Sequence, residues 1–577
     1  MLSAILKKYL KPYQKPVILS FILLLAQAIA SLYIPNLNAD LINNGVAKGD
    51  VGYIWHIGLI MLAASTVVII VSIWITYLAS QISMRFGRDL RAAIFKQVQS
   101  FSSQELGKFG AASLITRSTN DIQQVQMLVF MSLTMMLAAP ITAVGAIFMA
   151  IHTNAHLSLL LLVVVPFLST FIGLLLRRIV PLFRIGQIRT DRLNLVLREQ
   201  IAGIRVIRAF VKRRTEEERF EGASLDVMET GSKIAQTFAF MFPTVMFIFN
   251  TSSVAVIWFG GKLVETGNLQ IGSLTAYLAY LMQILGSVMM GVMMSMFIPR
   301  AAASAERIQE VLTTESSISE STASHKELNT SGIVEFNNVE FRYPGAEHPI
   351  LTNISFIAKP GEFTAIIGGT GSGKSTVLNL IPRFMDVTKG SILVNGEDIR
   401  NQPLETLWAS FGLVPQRSLL FKGSVRDNLH YGKFNANDEE IWHALEVAQA
   451  KDFVEALPEK LDAEISQGGT NFSGGQRQRL AIARALIRKA PIYLFDDSFS
   501  ALDYTTDAKL RAELMKYAKE STLIVVAQRV STILNADQIV VLDEGKIVGI
   551  GKHHDLMQNC PTYKEIVLSQ LSPEEAA

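Results

Sequence analysis

A glycine-rich segment at residues 368–376 carries residue types that bind phosphate groups. It reads GGTGSGKST and follows the apolar run FTAIIG, so the pattern predicts a strand, a loop and then a helix. Glycines let backbone amides wrap around phosphates at a helix N-terminus. We expect Lys374 to reach the β- and γ-phosphates of a nucleotide, and the Ser375 hydroxyl to bind Mg²⁺. The predicted phosphate-binding residues are Gly368, Gly369, Thr370, Gly371, Ser372, Gly373, Lys374, Ser375 and Thr376.

Two adjacent carboxylates stand at the end of a second apolar strand, in the stretch IYLFDDSFSALD at residues 492–503. Asp496 is the acidic group expected beside a phosphate loop, where it orients the metal ion and its water. Asp497 follows directly, which places a second carboxylate at the same strand end. The pair therefore predicts the metal-binding side of a nucleotide site.

A second glycine pair opens a predicted amphipathic helix in FSGGQRQRLAIARAL, residues 472–486. Backbone N–H groups at such a helix N-terminus form a further anion-binding site. A second phosphate cradle in one domain makes sense if it serves a nucleotide held by another copy of the fold. The residues concerned are Ser473, Gly474, Gly475 and Gln476.

Six apolar segments in the first ~300 residues are long enough to cross a bilayer, which takes about 20 residues of helix. Hydrophobic residues make up 50% of the chain and charged residues only 18%, with a mean hydropathy of +0.31. Stretches such as LSLLLLVVVPFLSTFIGLLL have no polar face, which argues against buried helices of a soluble protein. The predicted spans are residues 17–37, 54–79, 127–151, 157–176, 238–260 and 274–299.

Basic residues cluster before the first predicted span and after the second and fourth. The positive-inside rule therefore places both termini and the two long loops in the cytoplasm, with the spans in a plasma membrane such as a bacterial inner membrane. The loops have helical patterns, so we expect hairpins with tips at residues 109–113 and 210–217. The single cysteine, Cys560, allows no intramolecular disulfide, and the net charge of +3 implies no nucleic-acid partner.

Together these features resemble the ATP-binding cassette transporters, in particular the half-transporters of the exporter type. The resemblance covers nearly the whole chain, and GIRVIRAFVKRRTEEERF is similar to the family's coupling region. It implies ATP and Mg²⁺ as cofactors, with each ATP lying between one phosphate loop and the signature loop (Ser473–Gln476) of a partner cassette. It also implies that Tyr343 stacks on adenine, that Gln416 contacts Mg²⁺ and senses the membrane domain, and that Asp503 faces the partner.

The predicted fold is a multidomain membrane protein with an all-α part and an α/β part. A six-helix transmembrane domain with long cytoplasmic helical extensions precedes an α/β P-loop ATP-binding cassette. Between them, TTESSISESTASHKELNTSG is polar and rich in Ser and Thr, as linkers are. The predicted boundaries are residues 1–312 for the transmembrane domain, 313–332 for the linker and 333–577 for the cassette.

Two residues depart from the family's hydrolytic site. Where the family has Glu next to the metal-binding aspartate, this chain has Asp497, and where it has His in a switch loop, this chain has Gln528. Shortening Glu by one methylene withdraws the carboxylate by about 1.5 Å, a misplacement that can slow a reaction by ~10²-fold. Gln cannot become a cation, so it stabilises charge on the γ-phosphate less well than His does. We therefore predict a degenerate site that binds ATP and hydrolyses it slowly.

The signature loop, by contrast, departs from the family's LSGGQ only in Phe472, which is an apolar exchange. We therefore expect a heterodimer in which this chain lends its signature loop to a second half-transporter with an intact Glu and His. A homodimeric exporter with a slow Asp-based site is the alternative. The preceding stretch SQGGTN also differs from the family's GERG-like pattern, so details of communication with the membrane part do not transfer.

The last predicted span is rich in methionine, and Met289, Met293 and Met296 fall on one helical face. Flexible Met side chains suit a cavity for varied apolar molecules, although these residues could equally face lipid or fill gaps between helices. The predicted spans contain no acidic residue to act as a counter-ion for cations. We expect ATP-driven transport of small apolar or amphipathic substrates across a lipid bilayer, with export favoured. An importer on the same scaffold and a cassette-gated channel are the alternatives.

Overall fold

The computed structural model describes residues 1–295, 297–319, 331–572 and 574, and it divides into two compact units. The helical unit comprises Met1–Gln99 and Ala112–Thr314, and the cassette unit comprises Ser100–Ala111 and Glu315–Ala577. Met296 and residues 320–330 of the predicted linker lie outside the described residues. The short segment at residues 100–111, which the sequence places in a cytoplasmic loop, belongs to the cassette unit.

Six helical segments in the described chain are long and apolar enough to cross a membrane, and each contains or overlaps one predicted span. The prediction of six spans is thus confirmed, and the chain is a multi-pass membrane protein. In chain order the segments are Leu2–Val46, Val51–Gln99, Ala111–Thr153, Ala155–Ala202, Arg213–Glu265 and Ile271–Gly291.

Several helices are far longer than a bilayer requires. The helix Arg213–Glu265 has 53 residues, which at 1.5 Å per residue is roughly 80 Å, against about 30 Å for a hydrocarbon core. The predicted helical extensions are therefore present. The helices are α1 (Leu2–Leu10), α2 (Gln14–Asp40), α3 (Val51–Gln99), α4 (Ser103–Phe109), α5 (Ala111–Thr116), α6 (Ile122–Met131), α7 (Ala138–Thr153), α8 (Ala155–Ser158), α9 (Leu161–Ala202), α10 (Ile204–Ala209), α11 (Arg213–Glu265), α12 (Ile271–Ser295) and α13 (Phe297–Thr313).

Two fully buried tyrosines of α12 pack in the apolar core of the helical unit. A buried hydroxyl needs a partner, and each of these finds a backbone carbonyl on another helix. Tyr277 Oη donates to the Leu157 carbonyl oxygen at 3.0 Å, and Tyr280 Oη donates to that of Leu32 at 3.2 Å. These bonds fix α12 against α8 and α2.

The chain reverses direction at two short helices on the long loops. Ser102 caps α4 in a capping box with Glu105, and Gly110, with φ of +73°, ends it. The second helix, α10, is followed by a turn in which Val211 has φ of +54°. These reversals lie at or beside the predicted tips, although the second one begins before residue 210.

The cassette unit contains a mostly parallel six-stranded sheet of order β12-β11-β3-β10-β9-β6, a four-stranded antiparallel sheet of order β2-β1-β4-β5, and a β7-β8 pair. This α/β architecture confirms the predicted fold class. The strands are β1 (Val334–Phe341), β2 (Leu351–Ala358), β3 (Phe363–Gly368), β4 (Lys389–Val394), β5 (Glu397–Asp398), β6 (Phe411–Val414), β7 (Gly423–Ser424), β8 (Glu464–Ile465), β9 (Ile492–Asp496), β10 (Thr522–Val526), β11 (Gln538–Asp543) and β12 (Lys546–Gly551). The helices are α14 (Lys374–Leu380), α15 (Leu404–Ala409), α16 (Val425–His430), α17 (Asp438–Val447), α18 (Lys451–Glu455), α19 (Gly474–Leu486), α20 (Tyr504–Tyr517), α21 (His553–Asn559) and α22 (Pro561–Leu568).

Three buried parallel strands bring the candidate residues to one edge of the six-stranded sheet. Strand β10 pairs with both β3 and β9, and Val526 lies in register with Ile366 on one side and Asp496 on the other. The carboxyl ends of parallel strands meet at the same edge, where ligands of α/β proteins bind. The phosphate loop, the carboxylate pair and the loop that carries Gln528 therefore all leave the sheet together.

Candidate nucleotide site

The phosphate loop lies between the end of β3 and the start of α14, and its backbone requires glycine. Gly371 and Gly373 have φ of +86° and +98°, in the left-handed region. A Cβ atom on Gly368 would lie 2.0 Å from the Leu542 carbonyl oxygen, and one on Gly373 would lie 2.6 Å from the Leu351 side chain. Side chains at these positions would clash, so the sequence keeps a bare backbone that a phosphate can approach.

Lys374 places a cation within this loop. Its side chain is only 9% exposed, and Nζ donates to the carbonyl oxygens of Gly368 at 2.8 Å and Gly369 at 2.6 Å. Burial lowers the pKa of Lys374, and the charges of Asp497 and Asp496 raise it in part. Phosphate oxygens are stronger partners for an ammonium group than neutral carbonyls are, so the lysine is suited to exchange one set for the other.

Two further side chains support a nucleotide at the loop. The Ser372 hydroxyl is buried and has no hydrogen-bond partner among the described residues. A buried hydroxyl without a partner in a cationic loop could donate a hydrogen bond to a phosphate oxygen. Tyr343 packs its ring edge-on against Phe341, with centroids 4.8 Å apart, and its hydroxyl lies 3.2 Å from Thr376 Oγ1. The tyrosine thus lies at the first turn of α14, and its stacking on adenine stays a prediction.

The predicted metal ligands Ser375 and Asp496 are in contact. Ser375 Oγ donates to Asp496 Oδ1 at 2.9 Å, and Asp496 is buried. Burial raises the pKa of Asp496, and the hydrogen bond from Ser375 lowers it in part. Magnesium is commonly held by one or two protein oxygens together with substrate phosphates and waters. A hydroxyl and a carboxylate beside a phosphate loop fit that donor set, and the ion would supply charge neutralisation at the phosphates.

Asp497 has an unusual backbone conformation, with φ of +47°. An aspartate tolerates the left-handed region better than most residues, and its N–H donates to the Val526 carbonyl oxygen of β10 at 3.0 Å. Burial raises the pKa of Asp497, and hydrogen bonds from Ser500 and Gln416 lower it in part. The structure therefore brings Asp497 and the exposed Gln416 together, and their roles at the reacting side of the site stay predictions.

Gln528 lies on the loop that follows β10. Its neighbour Ala527 is buried, and the Ala527 N–H donates to the Ile366 carbonyl oxygen at 3.1 Å. Gln528 itself is exposed. It follows β10, the strand next to β9, so it lies at the same sheet edge as Asp497. The position fits the predicted switch residue, while the side chain is an amide that cannot carry a charge.

The signature loop forms a capped and exposed helix N-terminus. Ser473 Oγ accepts from the Gln476 N–H at 3.2 Å, and the Ser473 N–H donates to Gln476 Oε1 at 2.9 Å. This capping box starts α19, and Ser473 and Gly474 are exposed. Gln476 thus has a structural role as the second partner in the capping box. The free surface of the helix N-terminus can accept an anion from outside the cassette.

Asp503 also caps a helix. Its Oδ2 accepts from the Thr506 N–H at 3.0 Å at the start of α20, and this hydrogen bond lowers the pKa of Asp503. A role as helix cap accounts for an aspartate at this place without any partner chain. Its predicted position facing a partner stays a prediction.

Sequence reasoning missed three residues that connect the loops around the site. Ser500 Oγ donates to the Asp497 carbonyl oxygen at 2.9 Å. Arg529 donates to the carbonyl oxygens of Ser500 at 2.9 Å and Leu502 at 3.3 Å. Gln570, beyond the last helix, contacts the loop of Gln528. Of the three, only Ser500 could have been found from sequence, because it follows Asp497 by three residues and a turn would bring the two together.

Comparison with known proteins agrees with these features. Residues 17–288 match the family model described as the ABC transporter transmembrane region, and residues 351–500 match the model described as ABC transporter. An uncharacterized ABC transporter ATP-binding protein of Mycobacterium tuberculosis is 46% identical over 574 residues, which is 99% of this chain and 98% of the relative.

Two further matches bear on the kind of transporter. An ATP-dependent lipid A-core flippase of Chromobacterium violaceum is 30% identical over 568 residues, covering 98% of this chain and 97% of the flippase. The solved structure of a bacterial Atm1-family ABC exporter with ATP bound superposes with a TM-score of 0.78 at 24% identity, covering 95% of this chain and 97% of that one. At that identity the structural match speaks to the fold alone.

Proposed function

The chain belongs to the ABC transporter family and has the fold of its exporters, and on that premise we propose that it exports small amphipathic or apolar molecules with the energy of ATP. The observation that carries the substrate class is an apolar cavity in the helical unit. The relative from Chromobacterium violaceum is named for moving lipid A-core, which is itself amphipathic. That name supports the same class here without identifying the molecule.

The cavity has a volume of about 630 Å³, within the range of small-molecule sites. It lies among α9, α11, α12 and α13, and its lining includes Phe183, Phe238 and Met241. Met289 and Met293, two of the three methionines predicted to share a face, line it as well. Met side chains adapt to varied apolar shapes, so these residues suit a substrate with an apolar body.

Arg300 is the only charged residue among the described residues that line the cavity. It lies beyond the apolar span Ile271–Gly291 and adds a positive charge to a lining that is otherwise apolar. A cation in the lining of an apolar cavity favours a substrate that carries a negative headgroup. We infer that an anionic amphipathic molecule fits better than a purely apolar one.

The ATP site itself is proposed to be a degenerate one. Asp497 carries its carboxylate one methylene closer to the backbone than Glu would, and Gln528 cannot become a cation. A shift of about 1.5 Å and a lost charge each weaken the activation of water and the stabilisation of charge at the γ-phosphate. The groups that hold the nucleotide, Lys374, Ser375 and Asp496, are intact. We therefore expect normal binding and slow hydrolysis.

Two exposed surfaces support a second chain. The signature loop presents Ser473 and Gly474 to solvent. At the second cytoplasmic tip, Val206, Phe210 and Val211 are 60%, 72% and 86% exposed, although this region lies outside the apolar spans. Apolar groups clustered in a cytoplasmic loop fit a protein partner. We propose that the partner is a second half-transporter with Glu and His at the positions of Asp497 and Gln528.

Transport in oriented vesicles tests this function and its alternatives. With the chain and its partner reconstituted, we expect ATP-dependent uptake of an anionic fluorescent lipid into inside-out vesicles. ATP-dependent uptake into right-side-out vesicles would instead indicate an importer, and ATP-dependent conductance without uptake would indicate a gated channel. Arg300→Ala should reduce uptake of the anionic lipid, while the exposed Arg198→Ala, outside the cavity lining, serves as the matched control.

Co-purification distinguishes the two proposed assemblies. For a heterodimer, the tagged chain should capture a second half-transporter that has Glu and His at the positions of Asp497 and Gln528. ATP hydrolysis should rise when the two chains are present together. A stable dimer of this chain alone, with transport activity, would favour the homodimer with a slow Asp-based site.

A further inference from the structure

One side chain from the C-terminal segment forms hydrogen bonds with two backbone groups of the loop that carries Gln528. Gln570 Nε2 donates to the Gln528 carbonyl oxygen at 2.9 Å. The Val530 N–H donates to Gln570 Oε1, also at 2.9 Å. The loop between β10 and β11 is thus bound at both ends of a three-residue stretch by a single carboxamide.

A carboxamide matches this stretch because it has a donor on one side and an acceptor on the other. The backbone presents a carbonyl at residue 528 and an N–H at residue 530. One residue of a parallel β-strand would form hydrogen bonds with groups at this spacing. Moving the loop by one residue would break both hydrogen bonds at once. The amide therefore fixes the register of the loop as well as its distance.

Gln570 is itself anchored in the cassette core. Tyr563 and Val567 of α22 are fully buried, and Tyr563 Oη lies 2.8 Å from His553 Nδ1. The N–H groups of Gln570 and Leu571 donate to the Val567 carbonyl oxygen at 3.0 and 2.9 Å. The backbone that carries the amide is therefore fixed by packing and not by the two bonds alone.

The clamped loop reaches the carboxylate side of the site through Arg529. Its guanidinium donates to the carbonyl oxygens of Ser500 and Leu502. Ser500 in turn donates to the carbonyl oxygen of Asp497. A shift of residues 528–530 would therefore move the turn that follows Asp497, so one clamp holds both halves of the reacting geometry.

We propose that Gln570 is a positioning residue for ATP hydrolysis, which holds the loop of Gln528 in register at the sheet edge. The proposal rests on the proposed role of Gln528 at the γ-phosphate. It makes the C-terminal segment a support of the reacting site through the contacts of Gln570 with residues 528 and 530. ATP binding should not depend on it, because Lys374, Ser375 and Tyr343 lie on other elements.

The test compares Gln570→Ala with Gln558→Ala in the full-length chain in lipid nanodiscs. Gln558 is an exposed glutamine of α21 whose amide contacts the His554 side chain instead of the switch loop, so it is a matched control. Slow turnover is followed with radiolabelled ATP. We expect Gln570→Ala to lower kcat by roughly three- to tenfold, as for loss of two backbone hydrogen bonds. KM for ATP and the melting temperature should stay within about twofold and a few degrees of wild type.

Amide hydrogen exchange gives a second readout that does not depend on hydrolysis. The Val530 N–H should exchange about tenfold faster in Gln570→Ala, because its hydrogen-bond partner is gone. Gln570→Glu keeps that acceptor but turns an oxygen toward the Gln528 carbonyl, so Val530 should stay protected while kcat falls. In a Gln528→Ala background, Gln570→Ala should lower kcat by less than it does in wild type, because only the effect through Arg529 and the turn after Asp497 remains.

The outcomes separate this proposal from the proposed function. If wild-type chain hydrolyses ATP quickly, the degenerate-site proposal fails, while the ratio between Gln570→Ala and wild type still tests the clamp. Unchanged kcat together with unchanged Val530 exchange would overturn the clamp. An equal fall in kcat in Gln558→Ala, or an effect confined to KM, would overturn it too.

Discussion

The residues proposed to hold the nucleotide and those proposed to act on it leave the same edge of one sheet, yet their surroundings differ. The phosphate loop is fixed by backbone sterics at Gly368 and Gly373, and its charged groups Lys374 and Asp496 are buried. Gln416 and Gln528 are exposed side chains on separate loops. Asp497, the third reacting residue, is half-buried. Changes to these three side chains leave the phosphate loop and its charged groups intact, so a cassette can lose fast hydrolysis and keep ATP binding.

The largest expected effect lies in the holding set. Lys374→Ala removes the only side-chain cation buried within the described phosphate loop, and loss of a charge-assisted contact to phosphate should weaken ATP binding by about 10²-fold or more. Equilibrium binding of a fluorescent ATP analogue measures this. Lys389→Ala removes an exposed lysine that pairs with Glu340, and it should leave the affinity unchanged. Normal affinity in Lys374→Ala would contradict the assignment of this loop.

The next effect concerns the signature loop, which this chain is proposed to lend to its partner. In the assembled complex, Ser473→Arg or Gly475→Asp should lower ATP hydrolysis by about 10²-fold, because bulk or negative charge blocks the approach of phosphate. A Cβ atom on Gly475 would already lie 3.2 Å from the Ala501 carbonyl oxygen. Glu459→Arg adds the same bulk at another exposed position and should have no effect. Near-normal hydrolysis in both signature variants would show that the cassettes do not share sites.

A gain of function tests the reacting set directly. Asp497→Glu should restore part of the hydrolysis at this site, and adding Gln528→His should bring most of the gain, about tenfold in total, because groups that act as a unit are not additive. The double-mutant cycle is measured in the heterodimer, with the partner's catalytic glutamate replaced by Gln to silence its own site. Equal and additive gains from the two single changes would contradict the view that they act together.

The smallest effect is expected at the second predicted tip, residues 210–217, far along the chain from either set. Phe210→Ala should reduce transport by about threefold while basal ATP hydrolysis stays near wild type, since the exposed ring is proposed to contact a cassette and not nucleotide. Phe109 is a poorer probe because it is buried against Phe101, with ring centroids 5.7 Å apart. Equal loss of both activities in Phe210→Ala would place the tip outside the coupling path.

The sequence predicts those parts of the fold and of the site whose interacting residues are close along the chain. The phosphate loop is a contiguous segment, and the predicted order of strand, loop and helix is the order found in β3 and α14. The six spans were equally clear, because apolar runs of that length have one common explanation. Short helices such as α4, which has 7 residues, carry too little periodicity to be seen in advance.

Contacts between distant segments could not be foreseen. Gln416 and Asp497 come together only because β6 and β9 pair in parallel. Gln570 lies beyond the last helix in no motif at all, and it reaches the switch loop because buried Tyr563 and Val567 dock α22 on the core. A single glutamine forms no sequence pattern, so only the tertiary structure shows its contact with the switch loop.

One measurement tests the central claim most directly: ATP binding and ATP turnover by this chain alone, in the same lipid nanodisc preparation. The account predicts saturable ATP binding with turnover well below ~1 s⁻¹, the lower end of ordinary enzyme rates. Asp497→Asn measured alongside should lower that slow turnover by no more than about tenfold. Turnover within the ordinary range, abolished by Asp497→Asn, would show that the aspartate is a competent catalytic residue and would contradict the degenerate site.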